Sequence, residues 1–244
     1  MTIIPSSSTG VAAQPEVLGM NASEFDYLER PKQFERNDFW RQVRRTVNGQ
    51  PVSDEQIQLI VEQIRQGLDL KVGDRLLDIG CGNGALTACL ETSVEATLGV
   101  DYSAYLIDIA KQHFESPRLR FAELSIEQMI TGRLQHAHDK ALLYGVSSYV
   151  SDDLLKALIC WYFADHDGSL FIGNVREERH AAAFYKQAKS SQELGDHTTS
   201  IGKWRTQDWF VQLAQELGLR VAFMKMPSAF YLSTYYFDVV LTRP

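Results

Sequence analysis

Cysteine, basic charge and long apolar runs are all scarce in this chain of 244 residues. The three cysteines, Cys81, Cys89 and Cys160, are odd in number and lack metal-type pairing. They exclude a disulfide framework and fit reduced thiols. No apolar stretch approaches the roughly eighteen residues of a membrane span, so no membrane partner is expected. The first twenty residues hold no Lys or Arg and do not read as a secretory signal, which makes a cytoplasmic protein the expectation. Lys and Arg number 24 against 31 Asp and Glu, a formal net charge of −7. That balance gives no general attraction to phosphate backbones, so a nucleic-acid partner is not expected either. Internal repeats and low-complexity tracts are also missing. What is present is an ordinary globular composition, 45% hydrophobic and 23% charged, at a length suited to one large domain.

Residues 1–20, rich in Ser, Thr, Pro, Gly and Ala, read as a loose leader. From Glu24 to Arg45 the aromatics Phe25, Tyr27, Phe34, Phe39 and Trp40 interleave with six Lys and Arg residues. Two readings follow: short amphipathic helices packed on the main domain, or a lid whose aromatics and arginines face a ligand. Aromatic stripes at helical spacing are more often core contacts. Ser53-Asp-Glu-Gln56 then has a capping-box arrangement, and Ile57, Ile60, Val61, Ile64 and Leu68 share one helical face.

Beyond it, strands and helices alternate. Strands are expected at 75–79, 97–101, 119–122, 140–144, 169–173, 220–226 and 236–242. Helices are expected at 85–91, 104–114, 152–163, 177–189 and 207–217. This is an α/β pattern, predicting a doubly wound, mostly parallel sheet with helices on both faces. In such sheets the ligand lies beyond the carboxyl ends of the strands, at the switch in strand order.

The run Leu76-Leu-Asp-Ile-Gly-Cys-Gly-Asn-Gly-Ala85 ends the first strand. Gly80, Gly82 and Gly84 allow a tight turn and close approach of a ligand to the backbone. Asp78 repels phosphate there and welcomes an ammonium, a sulfonium or hydroxyls. Gly80-x-Gly82-x-x-Ala85 also satisfies the loose dinucleotide fingerprint, so an NAD(P)-linked oxidoreductase stays open as an alternative. At the second strand's end, in Gly99-Val-Asp101-Tyr-Ser, Asp101 can accept both hydroxyl hydrogens of a ribose; a helix N-cap is its blander role.

These motifs, with Phe121-Ala-Glu-Leu-Ser-Ile-Glu-Gln-Met129 and Asp139-Lys-Ala-Leu-Leu-Tyr-Gly-Val146, resemble the class I S-adenosylmethionine-dependent methyltransferases of the small-molecule, biosynthetic type. The resemblance runs from about Ser53 to Arg243. It implies a Rossmann-like seven-stranded sheet whose antiparallel last strand is Tyr236–Thr242, and a domain at 53–244 preceded by a helical lid at 21–52. It implies S-adenosylmethionine as cofactor, with Asp78, Gly80, Cys81 and Gly82 around its methionine part, Asp101 on the ribose and Tyr102 against adenine. Ser125 stands where the family usually has Asp, and its neutral hydroxyl would bind the adenine amino group more weakly. Ile126 would wall the adenine, and Tyr144 would close the cofactor side. Tyr144-Gly-Val-Ser147 replaces the Pro-Pro-aromatic motif of nucleic-acid amino methylators, which points to a small-molecule acceptor, oxygen before nitrogen. A catalytically silent cofactor-binding subunit is the rival from another class.

A hydroxyl acceptor calls for a base. His180 and His197 lie downstream of the fifth strand, on the ligand side, and Tyr149 lies just past the fourth; these are the catalytic candidates. Tyr27, Trp40 and Tyr231 are the substrate candidates, Phe230 and Trp204 being balanced between roof and scaffold. His136, His138 and His166 precede strands and fall at the wrong end of the sheet. No metal is expected, and the assembly expected is a monomer or homodimer.

Overall fold

The computed structural model describes residues 19–134, 138–164 and 167–244. Most of the leader, His136 and His166 thus lie outside the described residues. Among the described residues the first regular element is a short helix, α1 (Ala22–Leu28), closed by a capping box between Asn21 and Glu24. A 3-10 turn (Arg30–Gln33), one helical turn (Phe39–Gln42) and a two-residue hairpin (Thr46–Val47 with Gln50–Pro51) follow. This segment is therefore not wholly helical. Arg44 and Asn48 adopt positive φ around the hairpin, a turn signal that aromatic spacing did not carry.

Helix α2 (Asp54–Leu68) buries the stripe Ile57, Ile60, Val61, Ile64 and Leu68, as its periodicity requires. Its capping box does not form. Ser53 makes no side-chain cap, and the Gln56 amide, in place of reaching back to it, donates to Ala229 O and accepts from Tyr231 N. The residue that would have closed the helix end holds a distant loop instead.

The central sheet comprises β1 (Arg75–Ile79), β2 (Ala96–Asp101), β3 (Leu119–Glu123), β4 (Lys140–Tyr144), β5 (Ser169–Arg176), β6 (Arg220–Met224) and β7 (Tyr236–Thr242). Their order across the sheet is 3-2-1-4-5-7-6. β7 runs antiparallel to both β5 and β6, and the remaining pairs are parallel. Alternate strand residues feed two cores, as the pleat dictates. Leu77, Ala141, Leu143, Leu170 and Ile172 face one side, where α4 (Asp152–Phe163) and α5 (Gln207–Glu216) pack. Leu76, Leu142, Tyr144 and Phe171 face the other, against α2. Each fully buried aliphatic side chain contributes roughly 1.5–3 kcal/mol of transfer free energy, which makes the inner strands the rigid base of everything above them. Helix α3 (Ala104–Phe114) covers the outer strands β2 and β3 through Ile107 and Ala110, which pack with Leu119 and Phe121.

Three expected elements need correction. The helix expected at 85–91 is a single turn, Ala85–Ala88, followed by a 3-10 turn at Glu91–Ser93. The long helix expected at 177–189 is a 3-10 turn, Glu178–His180, with a five-residue helix, Ala181–Tyr185. It stops where Lys186 turns left-handed at φ 58°. β5 runs three residues past Gly173, because antiparallel pairing with β7 resumes after a bulge between Ile172 and Val175, with Asn174 at φ 60°. Gly-Asn reads as a strand stop only until the partner strand is known.

Candidate active site

At the carboxyl ends of β1, β2, β4 and β5 lies one cavity of about 590 Å³. It sits at the switch point between β1 and β4, from which the strand order proceeds in opposite directions. Its volume falls in the range of about 300–1,000 Å³ usual for small-molecule sites.

One end of the cavity grows out of β1 and β2. Gly80 leaves β1 at φ +74°, and its N–H donates to Val100 O at 2.7 Å, so the turn is pinned to the neighbouring strand. A Cβ here would meet Val146 Cγ2 at 2.4 Å, and one on Gly82 (φ +59°) would meet Val43 Cγ1 at 2.9 Å. Glycine is thus required twice, for conformation and for close approach. Gly82 itself does not line the cavity; its N–H donates to Asp101 Oδ2 at 2.9 Å. The other oxygen, Oδ1, accepts from Ser103 N at 2.8 Å. Each carboxylate oxygen keeps further acceptor capacity, and Asp101 lines the cavity, so the carboxylate fits a vicinal diol. It is not the helix cap; Ser103 performs that role by accepting from Leu106 N.

Asp78 is likewise buried and lines the cavity, with Oδ2 accepting from the Thr87 hydroxyl at 2.6 Å. Burial raises its carboxyl to about 7, against the lowering influence of Thr87 and of Arg45. Burial also raises Asp101 to about 6, opposed by the backbone N–H groups of Ser103 and Gly82. A cation bound beside these two carboxylates would favour their ionised form. Cys81 and Tyr102 line the same end, the latter 43% exposed, and burial lifts the Cys81 thiol well above its usual range. Ser125 and Ile126 line it too. The Ser125 hydroxyl already accepts from Gln128 N at 3.2 Å as a helix cap, which leaves one lone pair for a ligand.

The opposite end is basic and aromatic. Tyr149, past β4, accepts from Arg176 Nη2 at 3.2 Å and donates to Ser200 O at 3.3 Å. Tyr27, from α1, meets Tyr149 edge-on at 5.0 Å between ring centroids. Burial first, and Tyr149 second, push the Tyr27 phenol well above its usual range. The Arg45 guanidinium lies 4.9 Å from the Tyr144 ring. Arg44 forms an ion pair with Asp26 and donates to Ser200 O at 2.7 Å.

Of the other expected site residues, Trp40, Tyr144, Tyr231 and His197 all line the cavity. His180 does not: it closes the 3-10 turn after β5 and is not brought to the cavity. The expectation rested on its place downstream of the fifth strand; that strand instead runs on to Arg176 and leads straight into the turn that holds His180. Phe230 and Trp204 are scaffold. Phe230 is 3% exposed in the core beneath α2, and Trp204 is 2% exposed among Ala181, Leu194 and Phe184. His138 precedes β4, at the amino end of the sheet. Among the described residues no three His, Cys, Asp or Glu side chains gather as a metal site.

The N-terminal segment both packs on the sheet domain and lines the cavity. Phe39 packs on His113 and Phe114, with ring centroids 5.1 and 4.8 Å away. Trp40, Val43, Arg44 and Arg45 face the cavity. Asn83 of the glycine turn clamps this segment, donating to Phe39 O at 2.7 Å and Gln42 Oε1 at 2.8 Å. Sequence reasoning missed Arg176 and Asn174 among the residues that line the cavity, and weighed Arg44 and Arg45 only as part of a lid. An arginine three residues past an apolar strand was the available signal for the first.

Comparison with known proteins agrees with this geometry. Residues 76–161 match the family model described as "Methyltransferase domain". A ubiquinone biosynthesis O-methyltransferase of Coxiella burnetii (strain Dugway 5J108-111) is 42% identical over 59 residues, 24% of this chain and 25% of that one. The chain thus spans about a quarter of that curated relative's length. Two solved structures share the fold. Magnesium protoporphyrin IX methyltransferase (ChlM) from Synechocystis PCC 6803, with bound SAH, has TM-score 0.61 and 17% identity, covering 88% of this chain and 98% of that one. The N-methyltransferase NodS from Bradyrhizobium japonicum WM9 has TM-score 0.56 and 16% identity, covering 79% and 98%. Residues 76–161 are thus similar to a methyltransferase domain, and the fold around them is the one these solved methyltransferases share. The strand order agrees: 3-2-1-4-5-7-6 departs from the 3-2-1-4-5-6 order of dinucleotide-binding sheets.

Proposed function

We propose that the protein transfers a methyl group from S-adenosylmethionine to a hydroxyl, and second to an amine, of a small-molecule metabolite. The observation that carries this reading is the continuity of the cavity. A single space joins the paired carboxylates Asp78 and Asp101 to a wall of Tyr27, Tyr149, Tyr231 and His197. Cofactor and acceptor can therefore meet within it. Among the proteins compared, one is named for oxygen and another for nitrogen methylation, so the acceptor atom rests on the local chemistry.

When bound, S-adenosylmethionine supplies an already activated methyl group, and the protein's part is alignment and exclusion of water. Asp101 holds the ribose, Asp78 and the backbone turn at Gly80 hold the methionine part, and Tyr102, Ser125 and Ile126 flank the adenine. Residues 21–52 act as the lid. His197, in the loop after the short helix Ser191–Gly195, is the base: a neutral imidazole is matched to taking a hydroxyl proton near pH 7. Tyr149 is engaged between Arg176 and Ser200, and so serves as a positioning residue. No helix among the described residues is long and apolar enough to cross a membrane; a cytoplasmic monomer or homodimer completes the reading.

The test is calorimetric titration with S-adenosylhomocysteine and, in parallel, NAD. Binding of the first alone is expected, followed by its release from S-adenosylmethionine in the presence of a metabolite extract. Binding of NAD instead would replace this reading with the oxidoreductase one.

A further inference from the structure

The acceptor end contains a buried cation that the reaction described above does not use. Arg176, at the last position of β5, is 8% exposed and lines the cavity. It makes no ion pair among the described residues, and its Nε has no hydrogen-bond partner. The half-buried Arg44 is neutralised by Asp26, and the half-buried Arg45, whose Nε also lacks a partner, lies over the Tyr144 ring nearer the acidic end. Arg205 is 2% exposed but pairs with Asp152 at 3.0 Å and donates to Ser147 O and Val150 O. Arg176 has only phenols for company. Its guanidinium carbon lies 5.4 Å from the Tyr149 ring and 5.6 Å from the Tyr236 ring, and Nη2 donates to Tyr149 Oη.

A guanidinium removed from water without a counter-charge is costly unless something else supplies that charge. The neighbouring rings offset part of the cost by cation–π attraction, but a neutral phenol cannot satisfy a five-donor fork. A carboxylate can, because its two oxygens match the fork in one plane. The surroundings reinforce the point. Tyr27, Tyr149 and Tyr236 present aromatic surface around the cation, and the carboxylates Asp78 and Asp101 lie at the cavity's cofactor end.

We propose that the methyl acceptor is an organic acid with a flat aromatic body, whose carboxylate docks on Arg176 between Tyr149 and Tyr236. The proposal deepens the methyltransferase reading and rests on it for the identity of the cavity. The cofactor's cationic sulfur would sit over the acidic end and the acceptor's anion over the basic end. The acceptor would thus enter in one orientation, with its uncharged end toward the methyl group.

The experiment uses the full chain and a matched pair of probes, 4-hydroxyphenylacetate and 4-hydroxyphenylacetamide. Each is titrated calorimetrically into the protein with and without saturating S-adenosylhomocysteine. The acid is expected to bind at least tenfold more tightly than the amide. Arg176→Met should abolish the preference, and Arg176→Lys, which keeps the charge but not the fork, should restore part of it. In both variants the affinity for S-adenosylhomocysteine should stay within twofold. Equal affinity for acid and amide in the wild-type protein, or binding of neither, overturns the proposal without requiring that any variant fold. The two readings fail separately. Normal S-adenosylhomocysteine binding without acid preference removes the anion site alone. Acid preference without S-adenosylhomocysteine binding overturns the methyltransferase reading and, with it, the acceptor role.

Discussion

The two ends of the cavity are built differently. The cofactor end is formed by strand ends and one tight turn, and its polar atoms are tied to nearby backbone or a buried hydroxyl: Asp101 to Gly82 N and Ser103 N, Asp78 to the Thr87 hydroxyl, Gly80 N to Val100 O. The acceptor end is assembled from segments far apart in sequence. Ser200 alone accepts from Arg44 and Tyr149, and Ser23 N donates to Thr198 O. One end is anchored to the rigid sheet, while the other depends on loops holding each other. Substitutions at the first should act through cofactor affinity, and substitutions at the second through acceptor binding or rate, with cofactor affinity spared.

The largest effect should come from His197, where that division is sharpest. His197→Ala is expected to lower the rate by roughly a hundredfold or more, with little change in cofactor affinity, as loss of a general base does. His180→Ala, outside the cavity, should keep a near-normal rate and serves as the control. Equal rates for both variants in single-turnover measurements would remove His197 from the reaction.

Next in size is Asp101. Asp101→Ala removes the ribose contact at roughly 1.5–3 kcal/mol, so S-adenosylhomocysteine should bind at least tenfold more weakly by calorimetry. The same change strips acceptors from the buried N–H groups of Gly82 and Ser103, so a lowered melting temperature is also expected. Asp101→Asn keeps one acceptor oxygen and should fall between. Unchanged affinity in either variant would contradict the assignment.

A smaller effect should come from the seam between the ends. Gln42 is buried, accepting from Asn83 Nδ2 and donating to Glu35 O at 2.8 Å. Gln42→Ala should loosen residues 21–52 from the glycine turn at about 1–3 kcal/mol for the stranded buried groups. Limited proteolysis should then show faster cleavage near residue 45, with protection restored by cofactor and acceptor together. Cleavage unaffected by variant or ligand would make the segment a packed appendage.

The same contrast explains what was legible in the sequence. Asp78, Gly80 and Asp101 could be placed because each is fixed by its own strand and the turn beside it, a local relationship that spacing records. Arg176 could not, because its position depends on a bulge imposed by β7, sixty residues later. His180 was misplaced for a related reason: helix propensity from 177 onward gave no sign that β5 would extend to Arg176 and that a 3-10 turn would hold Glu178–His180. Gln56 read as a cap because Ser-x-x-Gln is a local pattern, whereas Ala229 and Tyr231, its real partners, are distant. Local chemistry survives translation into sequence; tertiary override does not.

The smallest expected effect is a pH dependence confined to the acidic end. Burial raises Asp101 to about 6 and Asp78 to about 7, whereas an unfolded carboxyl titrates near 3.9. Between those values the folded protein holds more protons than the unfolded chain. Stability from these two groups is therefore fully present below about pH 4 and declines as pH rises through about 6 to 7. A sulfonium bound nearby favours the ionised carboxylates, whereas S-adenosylhomocysteine carries a neutral sulfur. The affinity ratio of S-adenosylmethionine to S-adenosylhomocysteine should accordingly rise severalfold between pH 5.5 and 8. Proton release on binding should be larger for the sulfonium form in buffers of differing ionisation heat. A ratio flat across that window would mean that the carboxylates titrate without sensing the sulfur. Asp78 would then serve the glycine turn through Thr87, and the cofactor end would recognise shape and hydroxyls in place of charge.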